Sequence, residues 1–243
     1  ASHGEPPPPT NPAHRQASHA VRFEWGAEGA AAIVPGAAFA VVVDVLSFTT
    51  AVTVAVERGM AVYPYRWRDA SAQEYAAARG AVLAAGRREG IRDGRPSLSP
   101  ASLLATTGID SIVLPSPNGS SISHALSGSG ATVLAASLRN AAAVAQWLAG
   151  AMAEGEAVAV VAAGERWPDG SLRPAVEDLW GAGAVIAGLV DRGVGGPGGL
   201  SPEASTAAAA HRAAAADLAA QLTDCASGRE LVDASWVDRR LTR

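Results

Sequence analysis

Short runs rich in valine and other β-forming residues alternate with longer alanine-rich stretches along most of the chain. The run VVVDVL, within residues 39–46, is apolar enough to form a central strand that is covered on both sides. This alternation is typical of an α/β fold in which helices cover both faces of a largely parallel sheet. The candidate strands are residues 39–46, 61–65, 111–115, 132–136 and 157–162. The candidate helices are residues 49–58, 70–85, 120–126, 140–152 and 176–190.

Three polar segments stand apart from this pattern. Residues 1–20 are rich in proline and lack the apolar centre of a signal peptide, so we expect a flexible tail before a domain that spans residues 21–243. Residues 86–100 are predicted to form a charged loop, for which a lid is one interpretation. Residues 193–202 are predicted to be a glycine-rich connector to a last helix at residues 203–225.

The composition excludes several functional classes. The formal net charge is −4, which gives no broad basic surface for nucleic acid or an anionic membrane. All 19 basic residues are arginines, so a Schiff-base enzyme and a Walker A loop, which both need a lysine, are excluded. Cys225 is the only cysteine, which excludes an intrachain disulfide and fits a reducing cytoplasm. No run approaches the roughly 18 apolar residues of a membrane span.

Polar loops follow four of the predicted strands. Ligands of parallel sheets collect at the carboxyl ends of the strands, where backbone N–H groups of the following helices can bind a phosphate. The same Ser, Thr and Asn residues are also ordinary helix N-caps, so capping alone remains the alternative for any single loop. The candidate ligand-binding residues are Ser47, Thr49, Thr50, Asn118, Gly119, Ser120, Arg139, Asn140, Gly164, Glu165 and Arg166.

Three acids are the candidate catalytic residues and metal ligands. A carboxylate within an apolar strand is unfavourable unless it is paired or binds a metal, which favours a functional role for Asp44. Glu177 and Asp178 open a predicted helix, where acids are also favoured by the helix dipole alone. Carboxylate oxygens are ligands that Mg²⁺ prefers, and such a site can bridge to a substrate phosphate. The histidines lack metal-ligand spacing, and the sequence has neither a GxSxG nor a GxGxxG motif.

Five motifs resemble those of the 2-phosphosulfolactate phosphatase family, in the same order. They are VVVDVLSFTTAVTVAVERGM, SPNGSS, AASLRNAAAVAQWL, VAVVAAGER followed by AVEDLWGAGAV, and CASGREL. The resemblance runs from about residue 40 to residue 231. It implies a three-layer α/β/α fold with a largely parallel or mixed sheet.

The resemblance also implies a Mg²⁺-dependent hydrolysis of 2-phospho-3-sulfolactate to sulfolactate and phosphate, on the route to coenzyme M. The implied partner is a small phosphorylated acid, and a homodimer is left open. The motif positions matched in this sequence are Asp44, Thr49, Thr50, Asn118, Gly119, Asn140, Gly164, Glu177 and Asp178.

This chain departs from the family pattern at three positions. Ser47 stands where the family commonly has arginine, Ala162 where it has cysteine, and Ser120 where it has threonine. Loss of an arginine removes a bidentate partner for an anionic substrate, so the substrate is left open. Arg139, Arg166 and Arg173 are the candidate replacements.

The leading hypothesis is a phosphatase in which Asp44, Glu177 and Asp178 hold Mg²⁺ and a positioned water attacks the phosphorus. An Asp44 phosphoenzyme is a variant of it. A haloacid-dehalogenase-type phosphatase ranks lower, because that family places a second acid two residues after the first and this chain has Leu46 there. The sequence is also compatible with a phosphatase for another small phosphorylated acid and with a non-catalytic binding protein on the same scaffold.

Overall fold

The computed structural model describes residues 11–66, 69–196 and 199–241. The strands are β1 (Val21–Trp25), β2 (Phe39–Val43), β3 (Ala61–Tyr65), β4 (Val82–Leu83), β5 (Ser111–Pro115), β6 (Thr132–Ala136), β7 (Val158–Ala162), β8 (Glu165–Arg166) and β9 (Leu172–Arg173). The helices are α1 (Gly26–Ile33), α2 (Phe48–Glu57), α3 (Ala70–Ala77), α4 (Arg87–Asp93), α5 (Pro100–Ala105), α6 (Gly119–Leu126), α7 (Ala141–Ala151), α8 (Val176–Val190), α9 (Pro202–Ala214), α10 (Leu218–Asp224) and α11 (Ala226–Leu241). Two short 3-10 helices cover Pro12–Arg15 and Ala215–Asp217.

The longer strands form two parallel sheets. One sheet has the order β1-β7-β2-β6, and the other has the order β3-β5-β4. The short strands β8 and β9 pair antiparallel as a hairpin. The predicted three-layer α/β fold with a largely parallel or mixed sheet is confirmed.

Alternate residues of the central strands enter two different cores. Val41 and Val43 of β2 face a core formed with α7, α8 and α9. Ala40 and Val42 face the opposite core, against α1 and α6. Because successive side chains of a strand point to opposite faces, an uninterrupted apolar run is what a strand covered on both faces requires. The second sheet packs on α2 and α5 in a third core.

Most of the predicted elements are confirmed, with boundaries shifted by a few residues at most. The strands predicted at residues 61–65, 111–115 and 132–136 have those bounds. The helix predicted at 70–85 is wrong beyond Ala77, because Gly80 adopts a positive φ of 59° and the chain then enters β4. The predicted loop at 86–100 contains α4, and the last predicted helix is divided into α9 and α10 by a 3-10 turn. Residues 197–198 of the predicted connector lie outside the described residues.

Residues 11–20 pack against the domain rather than forming a flexible tail. The Gln16 side chain is buried, and its amide exchanges two hydrogen bonds with the backbone of Phe23, at 2.8 and 3.0 Å. The buried Arg22 guanidinium donates to the carbonyls of Ala17 and His19. These bonds satisfy buried polar groups, so this part of the segment belongs to the folded unit. Residues 1–10 of the predicted tail lie outside the described residues.

No helix in the described ranges combines the length and the apolar character that crossing a membrane requires.

Two glycines let α8 pack closely on both of its sides. A Cβ atom at Gly181 would lie 2.7 Å from Val43 and 2.6 Å from Val45, in β2 and the turn after it. A Cβ atom at Gly183 would lie 2.1 Å from the backbone oxygen of Ala207 in α9. The position of α8 is therefore set by direct contact with both β2 and the backbone of α9.

We expect Gly183→Ala to destabilise the protein by about 1–3 kcal/mol, because a side chain there forces α8 and α9 apart. Gly150→Ala is the matched control, since Gly150 lies in α7 with no atom within 4 Å of an added Cβ. The control should be neutral or stabilising by up to about 1 kcal/mol. Chemical denaturation measures both variants, and equal stabilities of the two would contradict the packing argument.

Candidate active site

Asp44 lies at the end of β2, where its buried carboxylate joins two helix starts. Its Oδ1 accepts a hydrogen bond from the backbone N–H of Phe48 at 3.1 Å, at the start of α2. Its Oδ2 accepts from the backbone N–H of Gly119 at 2.9 Å, at the start of α6. A carboxylate is favourable at both places because the amino ends of helices carry unpaired N–H groups and positive potential. Asp44 therefore holds the ends of β2 and β5 together.

Asp178 makes a second bridge of the same kind. Its Oδ1 accepts from the backbone N–H of Val45 at 2.7 Å, and its Oδ2 accepts from that of Gly164 at 2.9 Å. The side chain is buried, and burial, followed by the negative charge of Asp44, raises its pKa well above the usual range. Asp178 thus fixes the turn after β2 and the end of β7 to the start of α8.

Glu165 is the third acid, and it is only partly buried. Its Oε2 accepts a hydrogen bond from Nδ2 of Asn118 at 2.8 Å, which joins the loops after β5 and β7. Burial and the charge of Asp44 raise the pKa of Glu165 to about 7, while the bond from Asn118 and the charge of Arg173 oppose that rise. A carboxyl group of this kind changes its charge near neutral pH.

Glu177 completes a cluster of four acids. It is buried, and its Oε2 lies 3.6 Å from Sγ of Cys225, which precedes α11. The charge of Glu177 contributes to the raised pKa values of both Glu165 and Asp178. Asp44 and Glu177 therefore both act electrostatically on Asp178 and on Glu165, which places the three predicted acids and Glu165 in one group.

The predicted hydroxyl ligands have structural contacts. Thr49 Oγ1 donates to the Asp44 carbonyl at 2.7 Å and accepts from the Asp44 N–H at 2.9 Å. Thr50 Oγ1 donates to the carbonyl of Val45, and Ser120 Oγ donates to the carbonyl of Tyr65. These bonds give the three hydroxyls structural partners, but they are not N-caps, because no side-chain capping bond is formed at the start of α2 or α6.

Ser47 immediately precedes α2 and is buried. It follows a cis peptide bond from Leu46. Ser47 therefore lies in the same turn as Asp44, between β2 and α2.

Arg139 and Asn140 form their hydrogen bonds with other parts of the fold. The Asn140 side chain accepts from the N–H of Ser137 and donates to the carbonyl of Ala135, which closes the turn after β6. The Arg139 guanidinium forms an exposed ion pair with Glu57 at the end of α2. These bonds do not join the loop after β6 to the acid cluster.

A cavity of about 360 Å³ adjoins the acid cluster on one side. Asn118 and Glu165 line it, together with Arg166 of the hairpin and the first residues of α1. Arg166 Nη1 also donates to the Gly170 carbonyl at 3.0 Å within the hairpin. Asn118, Glu165 and Arg166 are therefore predicted ligand-binding residues that border this cavity.

The described residues contain no group of three or more His, Cys, Asp or Glu side chains arranged to hold a metal ion. The metal set Asp44, Glu177 and Asp178 accordingly stays a prediction. The donor chemistry still fits Mg²⁺, which proteins often bind through one or two carboxylates while water and substrate phosphate fill the other positions. A carboxylate oxygen that accepts one N–H bond also keeps a further lone pair.

The β8–β9 hairpin is absent from the sequence-based predictions, although it carries Glu165 of the acid cluster and Arg173 opposite it. Its register pairs Glu165 with Arg173. The sequence does contain a signal for this hairpin, because Pro168-Asp169-Gly170 is typical of a turn. Proline fixes φ, the aspartate side chain can bond to the nearby backbone, and glycine permits a positive φ. Gly170 has a φ of 85°.

Gly119→Ala should destabilise the protein by about 1–3 kcal/mol, because its Cβ would lie 2.7 Å from both Asp44 Oδ2 and the Phe48 ring. Gly128→Ala is the control, since no atom lies within 4 Å of an added Cβ at that position. The control should change the free energy of unfolding by no more than about 0.5 kcal/mol. A Gly119→Ala variant as stable as the control would show that the contact with Asp44 is not tight.

Glu165 should make the metal-free protein less stable as the pH rises. Its pKa is about 7 in the folded chain against an ordinary 4.5, so the folded state binds the proton more tightly than the unfolded state. This contribution to stability is fully present below about pH 4.5 and is lost as the pH rises through about 7.

Denaturation in EDTA between these pH values should therefore give a flatter pH dependence for Glu165→Gln than for the wild type. Glu154→Gln, at an exposed position, should keep the wild-type slope. Identical slopes for Glu165→Gln and the wild type would contradict the raised pKa of Glu165.

Comparison with models of protein families matches residues 30–238 to 2-phosphosulpholactate phosphatase. A search of curated protein sequences found no significant match. The matched region contains all four acids of the cluster, the hairpin and Cys225. Because the match covers most of the chain, this protein belongs to the 2-phosphosulpholactate phosphatase family of phosphoric monoester hydrolases.

Proposed function

We propose that this chain is a Mg²⁺-dependent phosphatase that hydrolyses 2-phospho-3-sulfolactate, or a closely similar small phosphorylated acid, to the alcohol and inorganic phosphate. The observation that carries this proposal is the group of four acids beside the starts of α2 and α6. Four carboxylates that repel one another are favourable where a cation offsets their charge, and such a cation also neutralises a phosphate ester.

The acids have separate tasks in this proposal. Asp44, Glu177 and Asp178 would hold Mg²⁺, directly or through its waters, and Asp178 also fixes the two loops. Bound Mg²⁺ would neutralise charge on the phosphoryl oxygens. The positioning task of Asp178 is supported by its hydrogen bonds, since both of its oxygens already accept backbone N–H groups.

The start of α6 orients the phosphoryl group. Its Gly119 N–H already donates to Asp44, but the next N–H groups, of Ser120 and Ser121, have no acceptor within the helix, and Ser121 lines the cavity. Such N–H groups stabilise charge on phosphoryl oxygens without reorganising during the reaction. The organic part of the substrate then extends into the cavity beside Arg166.

Glu165 is the proposed proton acceptor for the attacking water, and the bond from phosphorus to the ester oxygen breaks as the new bond forms, with the leaving oxygen taking its proton from solvent. Asn118 holds one of its oxygens, and the side chain borders the cavity. Its pKa of about 7 suits proton transfer near neutral pH. Direct attack by water is preferred to attack by Asp44 because both Asp44 oxygens accept backbone N–H bonds, which hold the carboxylate in place.

The test is phosphate release from 2-phospho-3-sulfolactate and from simple phosphomonoesters, with Mg²⁺ and with EDTA. We expect release that requires Mg²⁺, and a decrease in kcat of roughly 100-fold or more for Asp44→Asn. Asp191→Asn is the control, because Asp191 is an exposed residue after α8 that pairs with Arg212. No metal-dependent release from any of these esters would overturn the proposal.

A non-catalytic binding protein is the second candidate. It is favoured by the finding that, among the described residues, no group of three side chains is arranged to hold a metal. Binding of a phosphorylated or sulfonated acid without release of phosphate, in the same assays, would identify this function instead.

A further inference from the structure

Arg173 lies beside the acid cluster, in register with Glu165 across the β8–β9 hairpin. Residues directly opposite each other in an antiparallel pair place their side chains on the same face, with Cβ atoms about 4.5–5.5 Å apart. The positive charge of Arg173 accordingly acts on Glu165 and opposes the rise in its pKa. The hairpin thus brings a cation to a group of side chains that is rich in acids.

The Arg173 guanidinium is held in place by two neutral groups. Its Nη2 donates to Oγ of the buried Ser227 at 3.1 Å, at the start of α11. Its Cζ lies 5.7 Å from the centre of the Trp167 ring, within the range of a cation–π contact. Among the residues that the structure describes, no carboxylate forms an ion pair with it, so its charge is available to an anion.

Several arginines of the described chain are engaged elsewhere. Arg22 is buried, and its guanidinium donates to backbone carbonyls. Ion pairs within the described residues engage Arg92, Arg139, Arg212 and Arg229. Of the three candidate replacements for the family arginine, Arg139 is therefore occupied by Glu57, whereas Arg166 and Arg173 adjoin the site.

We propose that Arg173 is a substrate-binding residue that pairs with an oxyanion of the phosphorylated acid, and that the β8–β9 hairpin presents it to the acid cluster. This inference rests on the proposed function for the identity of the ligand. A guanidinium is planar and matches two oxygens of a phosphate, carboxylate or sulfonate at once. The hairpin is suited to this task because Gly164, at its base, is fixed by the 2.9 Å bond to Asp178.

The test is calorimetric titration of the Mg²⁺-containing protein with inorganic phosphate and, separately, with 3-sulfolactate. We expect Arg173→Gln to weaken binding by roughly 10- to 100-fold, which is the loss of a charged hydrogen-bonding pair. Arg173→Lys should lie between the wild type and Arg173→Gln, because it keeps the charge but loses the planar fork. Weakening with phosphate would place the guanidinium at the phosphoryl group, and weakening with 3-sulfolactate alone would place it at the acid group.

Ser227→Ala separates binding from a purely structural role. It removes the hydrogen bond that holds Arg173 but leaves the charge, so it should weaken binding far less than Arg173→Gln does. If Arg173 only fixed the hairpin to α11, both variants would lower Tm equally and neither would change affinity selectively. Arg212→Gln, at an exposed arginine paired with Asp191, is the control and should bind both anions like the wild type.

The outcomes distinguish this inference from the proposed function. Wild-type protein that binds the anions through Arg173 but releases no phosphate from any ester would overturn the phosphatase proposal alone. Wild-type protein that hydrolyses the esters while Arg173→Gln binds both anions normally would overturn the inference alone.

Discussion

Two buried carboxylates hold the loops of this site together by accepting backbone N–H groups. Asp44 accepts from Phe48 and Gly119, and Asp178 accepts from Val45 and Gly164. A buried N–H without an acceptor is unfavourable by roughly 1–3 kcal/mol, so each bond ties a loop to a defined position. The ends of β2, β5 and β7 and the start of α8 therefore meet in one place, although β5 belongs to a different sheet.

The same arrangement explains why acids accumulate there. Negative charge is favoured at helix starts, but the four carboxylates repel one another and are partly removed from water. The raised pKa values of Glu165 and Asp178 are the direct result. A cation relieves this repulsion, and a substrate anion can then enter a site whose own groups would otherwise repel it.

Sequence periodicity is sufficient to predict the parallel sheets, because a strand such as β2, buried on both faces, must be apolar throughout. It also singles out Asp44, since a lone acid beside such a strand needs a partner. It does not show that Asp178 uses both oxygens on the backbone of Val45 and Gly164, because those bonds depend on where distant segments meet. The loop that contains Arg139 has the same polar character, yet it is bonded within its own turn and to Glu57.

The composition of a segment gives the wrong structural prediction where contacts with distant parts of the fold determine its conformation. The alanine-rich stretch after Ala77 has the composition of a helix, but Val82 and Leu83 pair with β5. Gln16 belongs to a polar segment typical of a disordered tail, and it is buried because its amide satisfies both polar groups of the Phe23 backbone.

The close contact between α8 and α9 makes the position of Glu177 and Asp178 depend on α9, a helix that carries neither of them. Gly183 lies only five residues after Asp178, about 7.5 Å along the helix axis, and it faces the backbone of Ala207 without an intervening side chain. A helix is stiff over that length, so a shift of α9 would move Glu177 and Asp178 with little attenuation. Substitutions of the α9 residues that pack against Gly183 are thus able to alter the geometry of the carboxylates without contacting a ligand.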